Sequence, residues 1–304
     1  METHRLHGEL LRREVRVLVV GCGGTGSAIL GGLPYLHQAM RAQGHPYGLR
    51  VTVMDGDNVS PFNCIRQPFS RAEVGLNKGI VLVNRLNIFW GLNWEALPEY
   101  LTENHPIRQT DIVIGCVDTR AARAVIERQT SHNSAIHYAI DIGNSESSGQ
   151  FILGEPLNAV NRRSRTRLRT AAELFPEIID ATLDNDGQPS CSAIEALARQ
   201  QCFVNSVLAQ HALALLARLF RYGEISYHGS FVDVASSRAV PLAVDPLLWR
   251  QIRKRGQKNT RRRITADGRR TVSAGRPSAV GSPGRRPFYL VPKIRCENNV
   301  SSTA

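Results

Sequence analysis

Residues 15–20 (VRVLVV) run directly into Gly21-Cys22-Gly23-Gly24-Thr25-Gly26. A continuous apolar run rich in β-branched side chains suits a strand buried on both faces. The stretch after the glycines, to about Met40, reads as a helix. A strand, a G-x-G-x-x-G turn and a helix form a cradle for phosphate. Glycines let the backbone approach the anion, and the helix start offers unpaired N–H groups and a positive dipole end. Alone, this pattern suits a nicotinamide dinucleotide as well as ATP.

The chain beyond repeats the alternation. Arg50 to Met54 reads as a second strand ending at Asp55, residues 74–89 as a helix, Asp111 to Cys116 as a strand followed by Asp118 and a short helix, and residues 135–142 as another strand. Strands alternating with helices predict a doubly wound, mostly parallel α/β sheet of Rossmann-like form. Right-handed crossovers then put Gly21–Gly26, Asp55 and Asp118 on one edge, where the strands end. After residue 150 the pattern changes. Gln150 to Leu153 suits an antiparallel strand, Asn161–Thr170 a basic mobile loop, residues 192–220 a long helix opened by a Ser192/Glu195 capping box, and Ile225–Val244 a hairpin.

The formal charge of +12 is unevenly spread. Residues 249–304 hold fifteen Lys and Arg against Asp267 and Glu297, which leaves the other residues at −1. The expected organisation is therefore a folded domain over 1–248 and a basic, disordered tail over 249–304. The tail's arginines suit only weak, non-specific contact with nucleic acid, because few aromatic residues accompany them to stack on bases. The charged N-terminus lacks a secretory apolar region and no run is long enough to span a membrane, so a cytoplasmic protein is expected. The six cysteines form no C-x-x-C pair, and no zinc is expected.

The segment after Asp55 separates the two nucleotide readings. Asp55 can hydrogen-bond a ribose in either. It is followed by Gly-Asp57-Asn-Val59, then Asn63-Cys-Ile-Arg66-Gln67, then Gly75-Leu-Asn-Lys78. A dehydrogenase would turn into its next helix soon after the acid. Here a long loop brings Asn63, Arg66 and Lys78 toward the phosphate edge, which suits a triphosphate losing pyrophosphate.

The set G-x-G-G-x-G, D-x-D-x-V, N-x-x-R-Q, G-x-x-K and D-x-x-x-x-R resembles the ThiF and ubiquitin-activating enzyme superfamily over about residues 14–245. Within it, GCVDTRAAR and PSCSAIEALARQQCFVN are most similar to ThiF-like proteins of the plasmid-associated PRTRC gene system. The resemblance implies an ATP-dependent adenylyltransferase that activates the C-terminal glycine of a small ubiquitin-like protein, and a homodimer. Gly21, Gly23, Gly24 and Gly26 would line the phosphates and Asp55 would hold the ribose. Asn63, Arg66 and Lys78 would grip the triphosphate, Asp118 would bind Mg²⁺, and Arg123 would support that loop.

The departures matter too. Paired zinc cysteines are absent, Thr119 stands where many relatives have Asn, and the arginine-bearing segment usual before the first strand has only Arg5, Arg12 and Arg13 as weak substitutes. With no ubiquitin-fold domain following, adenylation is expected over full conjugation. Cys191, at the start of the long helix, either accepts the acyl group as a thioester or is structural; Cys22 and Cys116 read as packing residues. A catalytically weakened nucleotide-binding scaffold of a plasmid maintenance system stays open as an alternative. An NAD-dependent oxidoreductase ranks last, because no His or Tyr/Lys set is placed for hydride transfer.

Overall fold

The structure is a computed structural model that describes residues 2–164, 166–184 and 202–254. Eight strands form its main sheet. In chain order they are β2 (Val15–Val20), β3 (Leu49–Met54), β4 (Glu95–Leu97), β5 (Ile112–Gly115), β6 (Tyr138–Asn144), β7 (Ser148–Gly154), β9 (Tyr227–Asp233) and β10 (Arg238–Ala243). Their spatial order is β10-β9-β7-β6-β5-β2-β3-β4. The strands from β4 to β6 in that order are parallel, and β7, β9 and β10 join antiparallel. A separate short pair joins β1 (His4–Arg5) to β8 (Glu224–Ile225). The predicted α/β architecture, with its C-terminal antiparallel strands and long helix, is the one observed. The short edge strand β4 went unread because three residues carry no resolvable periodicity.

Strand alternation sorts the core into two faces. Val17, Val19, Ile112 and Ile114 join the large cluster, which includes Ile29, Leu30 and Leu33 of α1 (Gly24–Ala42) and Val81, Leu82 and Val83 of α3 (Lys78–Trp90). Leu18, Val20 and Val113 point the other way, onto Ile126 of α4 (Arg120–His132). Each fully buried Leu or Ile contributes about 1.5–3 kcal/mol, so both faces must be covered. The principal helix pair is α1 with α6 (Val204–Tyr222). They approach closely where Gly32 lies under Leu213; a Cβ there would sit 2.3 Å from Leu213 Cδ1.

Two expectations are corrected. The basic segment is not a mobile loop over its described residues, 161–164 and 166–170. Leu168 and Asn161 are buried, and Arg167 pairs with Glu173 of the short helix α5 (Ala171–Leu174) through both terminal nitrogens at 2.9 and 2.6 Å. A charge run that finds a half-buried carboxylate stops behaving as a solvated face. The packed part also runs past residue 248: residues 246–254 are helical, and Trp249 and Ile252 enter the core. The capping box at Ser192 and Glu195, and the tail from 255 onward, lie outside the described residues.

Candidate active site

The tips of three strands meet where the sheet reverses its winding. Gly21 N–H donates to Met54 O at 2.9 Å, and Cys116 N–H to Val20 O at 2.8 Å. The loops carrying Gly21–Gly26, Asp55 and Asp118 therefore leave from one edge, the usual place for a ligand in an open α/β sheet.

The four glycines have different reasons. Gly21 adopts φ +93°, and a Cβ on it would lie 2.8 Å from Cys116 O. A Cβ on Gly26 would lie 1.8 Å from Gly21 O, so α1 can seat against the strand end only without one. Gly23, the residue before α1, has no atom of the described residues within 4 Å of the place a Cβ would take, so among them the approach to the helix start is open. At Gly24 the corresponding space is taken by the Asn205 side chain.

Asp55 is buried, and its carboxylate accepts from the N–H groups of Cys22 and, at 2.7 Å, Asp57. Burial raises its pKa despite those bonds. It thus clasps the glycine turn to its own loop. Lys78, only 7% exposed, opens α3 and places Nζ 2.8 Å from Asp57 Oδ2; Tyr100 O–H donates to the other oxygen. Partial burial of Asp57 opposes ionisation, but these two donors outweigh it and hold the carboxyl below its ordinary range. Asn77 caps α3 and donates to the carbonyls of Asp55 and Asp57, which locks Lys78 beside the strand end. Asn63 and Arg66 begin and end the short helix α2 (Asn63–Arg66) of the same loop; Asn63 Oδ1 accepts from the backbone and hydroxyl of Ser60.

Asp118 is exposed between β5 and α4, and the adjoining Thr119 caps α4 by accepting from Ala122 N–H at 3.2 Å. Arg123 donates to Val117 O at 3.2 Å, while its Nε lies 3.2 Å from Asp141 of β6. Asp141 could not be foreseen, since it meets Arg123 only through the order of β5 and β6. Asp184 likewise accepts from the N–H groups of Arg120 and Ala121, satisfying open donors at the start of α4.

Of the upstream arginines, Arg13 forms a two-pronged pair with Asp111 at 2.7 and 2.6 Å, at the opposite end of β2 from the glycine turn. Arg5 is exposed, beside Glu224. Burial raises the thiol pKa of both Cys22 and Cys116, as suits packing residues. Cys191 lies outside the described residues; Cys202 is exposed just before α6. Among the described residues no three His, Cys, Asp or Glu side chains converge to hold a metal, and no helix is long and apolar enough to cross a membrane.

Asn205 was missed from sequence. The signal available was the surplus glycine: G-x-G-x-x-G requires glycine at 21, 23 and 26, and Gly24 is a fourth.

This arrangement defines a doubly wound α/β protein with a glycine turn at the switch point of its sheet. The chain belongs to the ThiF family, whose profile matches residues 7–243. Solved structures share the fold. PaaA is 14% identical with a TM-score of 0.51, over 76% of this chain and 64% of its own. E. coli MccB with ATP is 16% identical with a TM-score of 0.51, over 78% of this chain and 65% of its own. E. coli MccB with succinimide is 15% identical with a TM-score of 0.52, over 76% and 64%. The chain thus spans just under two thirds of the length of these proteins. No curated protein matches it significantly.

Proposed function

We propose that this protein is an ATP-dependent adenylyltransferase that activates the C-terminal carboxylate of a small ubiquitin-like protein. The observation that carries this reading is the meeting of the glycine turn, Asp55, Lys78 and Asp118 at one sheet edge. Family membership and the fold shared with MccB, solved with ATP, support it.

A carboxylate oxygen of the partner would attack the α-phosphorus of ATP. One P–O bond forms and the bond to pyrophosphate breaks, with no proton transferred. The N–H groups at the start of α1 would hold the phosphates beside Gly23, and Asp55 the ribose. Asn63, Arg66 and Lys78 would stabilise charge moving onto the leaving pyrophosphate; a donor aimed at such charge is typically worth about 3–4 kcal/mol. The single carboxylate of Asp118 suits Mg²⁺, which commonly takes one or two protein carboxylates and completes its shell with phosphates and water. That ion would offset the phosphate charge. A cytoplasmic homodimer is part of the same reading, as is onward transfer to Cys191.

One observation favours the weakened scaffold: Arg13 is tied to Asp111 away from the glycine edge. ATP–pyrophosphate exchange with small glycine-terminated partner proteins, and Asp118→Ala as control, separates the two. Partner-dependent exchange lost in the variant supports adenylation; ATP binding with no exchange for any partner favours the scaffold.

A further inference from the structure

The space that a side chain would need at Gly24 is filled by an amide from the far part of the chain. A Cβ on Gly24 would lie 2.2 Å from Asn205 Nδ2 and 3.0 Å from Asn205 Cγ. Asn205 is the second residue of α6. Its Oδ1 accepts from Thr25 Oγ1 at 3.1 Å and from Asn144 Nδ2 at the end of β6. Two donors on one oxygen fix the orientation of the amide. Its NH2 group is thereby turned to Gly24, and Nδ2 has no hydrogen-bond partner among the described residues. Beneath it is the first turn of α1, where unpaired N–H groups and the helix dipole already favour an anion.

We propose that Asn205 is a phosphate-binding residue of the nucleotide site, donating from Nδ2 to a phosphate oxygen of the nucleoside triphosphate held over the glycine turn. This rests on the nucleotide reading above and adds a ligand contact to it. It gives the surplus glycine a reason: any side chain at position 24 would displace the amide. It also links the start of α6 and the end of β6 to the bound phosphates, since both elements hold the same side chain.

Asn205→Asp separates phosphate binding from a purely structural role. Aspartate keeps the oxygen that accepts from Thr25 and Asn144 but replaces the NH2 group with an anionic oxygen. Calorimetric binding of ATP and of adenosine to the full chain, with thermal unfolding, reads the difference. The expected result is an ATP Kd raised at least ~10-fold, the scale of one lost charge-assisted hydrogen bond. Adenosine binding should stay unchanged and Tm should not fall, since the start of α1 favours an anion. Asn205→Ala should weaken ATP less than Asn205→Asp, because it removes the donor without adding repulsion. Unchanged ATP affinity in Asn205→Asp would overturn the proposal, as would equal loss of ATP and adenosine, which marks collapse of the site. If the unsubstituted protein bound no ATP, the nucleotide reading itself would fall and take this inference with it.

Discussion

Lys78 Nζ lies 2.8 Å from Asp57 Oδ2, so the cation beside the glycine turn is held by a carboxylate of its own loop. Lys78 is almost fully buried while the Asp57 side chain is half open to solvent. The pair therefore contributes less than a buried one, about 1 kcal/mol. Asp57→Asn should lower stability at pH 7 by that amount. The folded pKa of Asp57 is lowered, so its contribution is present above the unfolded carboxylate value of about 4 and disappears as pH falls through the folded value. Urea unfolding at neutral and acid pH checks this, and a difference that persisted undiminished in acid would exclude the ion pair as its source.

Asp118 is exposed and takes no hydrogen bond among the described residues. Asp118→Asn should leave stability within about 0.5 kcal/mol and lower pyrophosphate exchange at least ~100-fold. Parallel measurement of Tm and exchange tests it; a large fall in Tm would reassign Asp118 to the fold.

Glu127 of α4 is largely buried beneath Thr170, whose hydroxyl donates to it at 3.2 Å, and burial raises its pKa to about 7. A folded pKa above the unfolded value means full stability below about 4.3 and a loss as pH rises through 7. Glu127→Gln keeps an acceptor for Thr170 and removes the charge. It should raise stability at pH 8 by up to about 3 kcal/mol and have little effect near pH 4. A pH-independent gain would show that burial of the charge is not the cause.

Gly26 and Gly23 predict opposite outcomes for the same substitution. Gly26→Ala forces its methyl group against the Gly21 carbonyl oxygen and should cost about 3 kcal/mol of stability. Gly23→Ala meets nothing among the described residues, so stability should change by less than about 0.5 kcal/mol, while ATP binding weakens because a methyl group enters the open approach. Thermal unfolding with nucleotide titration of both variants decides; a destabilised Gly23→Ala would remove Gly23 from the binding face.

Much of the sheet was legible because its signals are local. An apolar run with a glycine turn at 15–26, or an acid closing a strand at 55, depends on neighbours within a few residues, where strand period and helix capping operate. The resemblance then implied roles for Lys78 and Asp118, carried over from the motifs they match. Segment 161–170 misled for the opposite reason: its arginines look solvated until Arg167 is seen against Glu173.

The local pattern of apolar runs, glycines and strand-end acids determined the winding of the sheet and the edge where its loops gather, since backbone geometry leaves few alternatives once those elements form. Tertiary structure alone decided that Asn205 fills the space above Gly24, that Asp141 faces Arg123, and that Arg13 is drawn to Asp111 instead of the glycine edge. Each of these joins residues remote in sequence. Their chemistry is set by which strands lie side by side and which helix seats on α1, and no local periodicity records that choice.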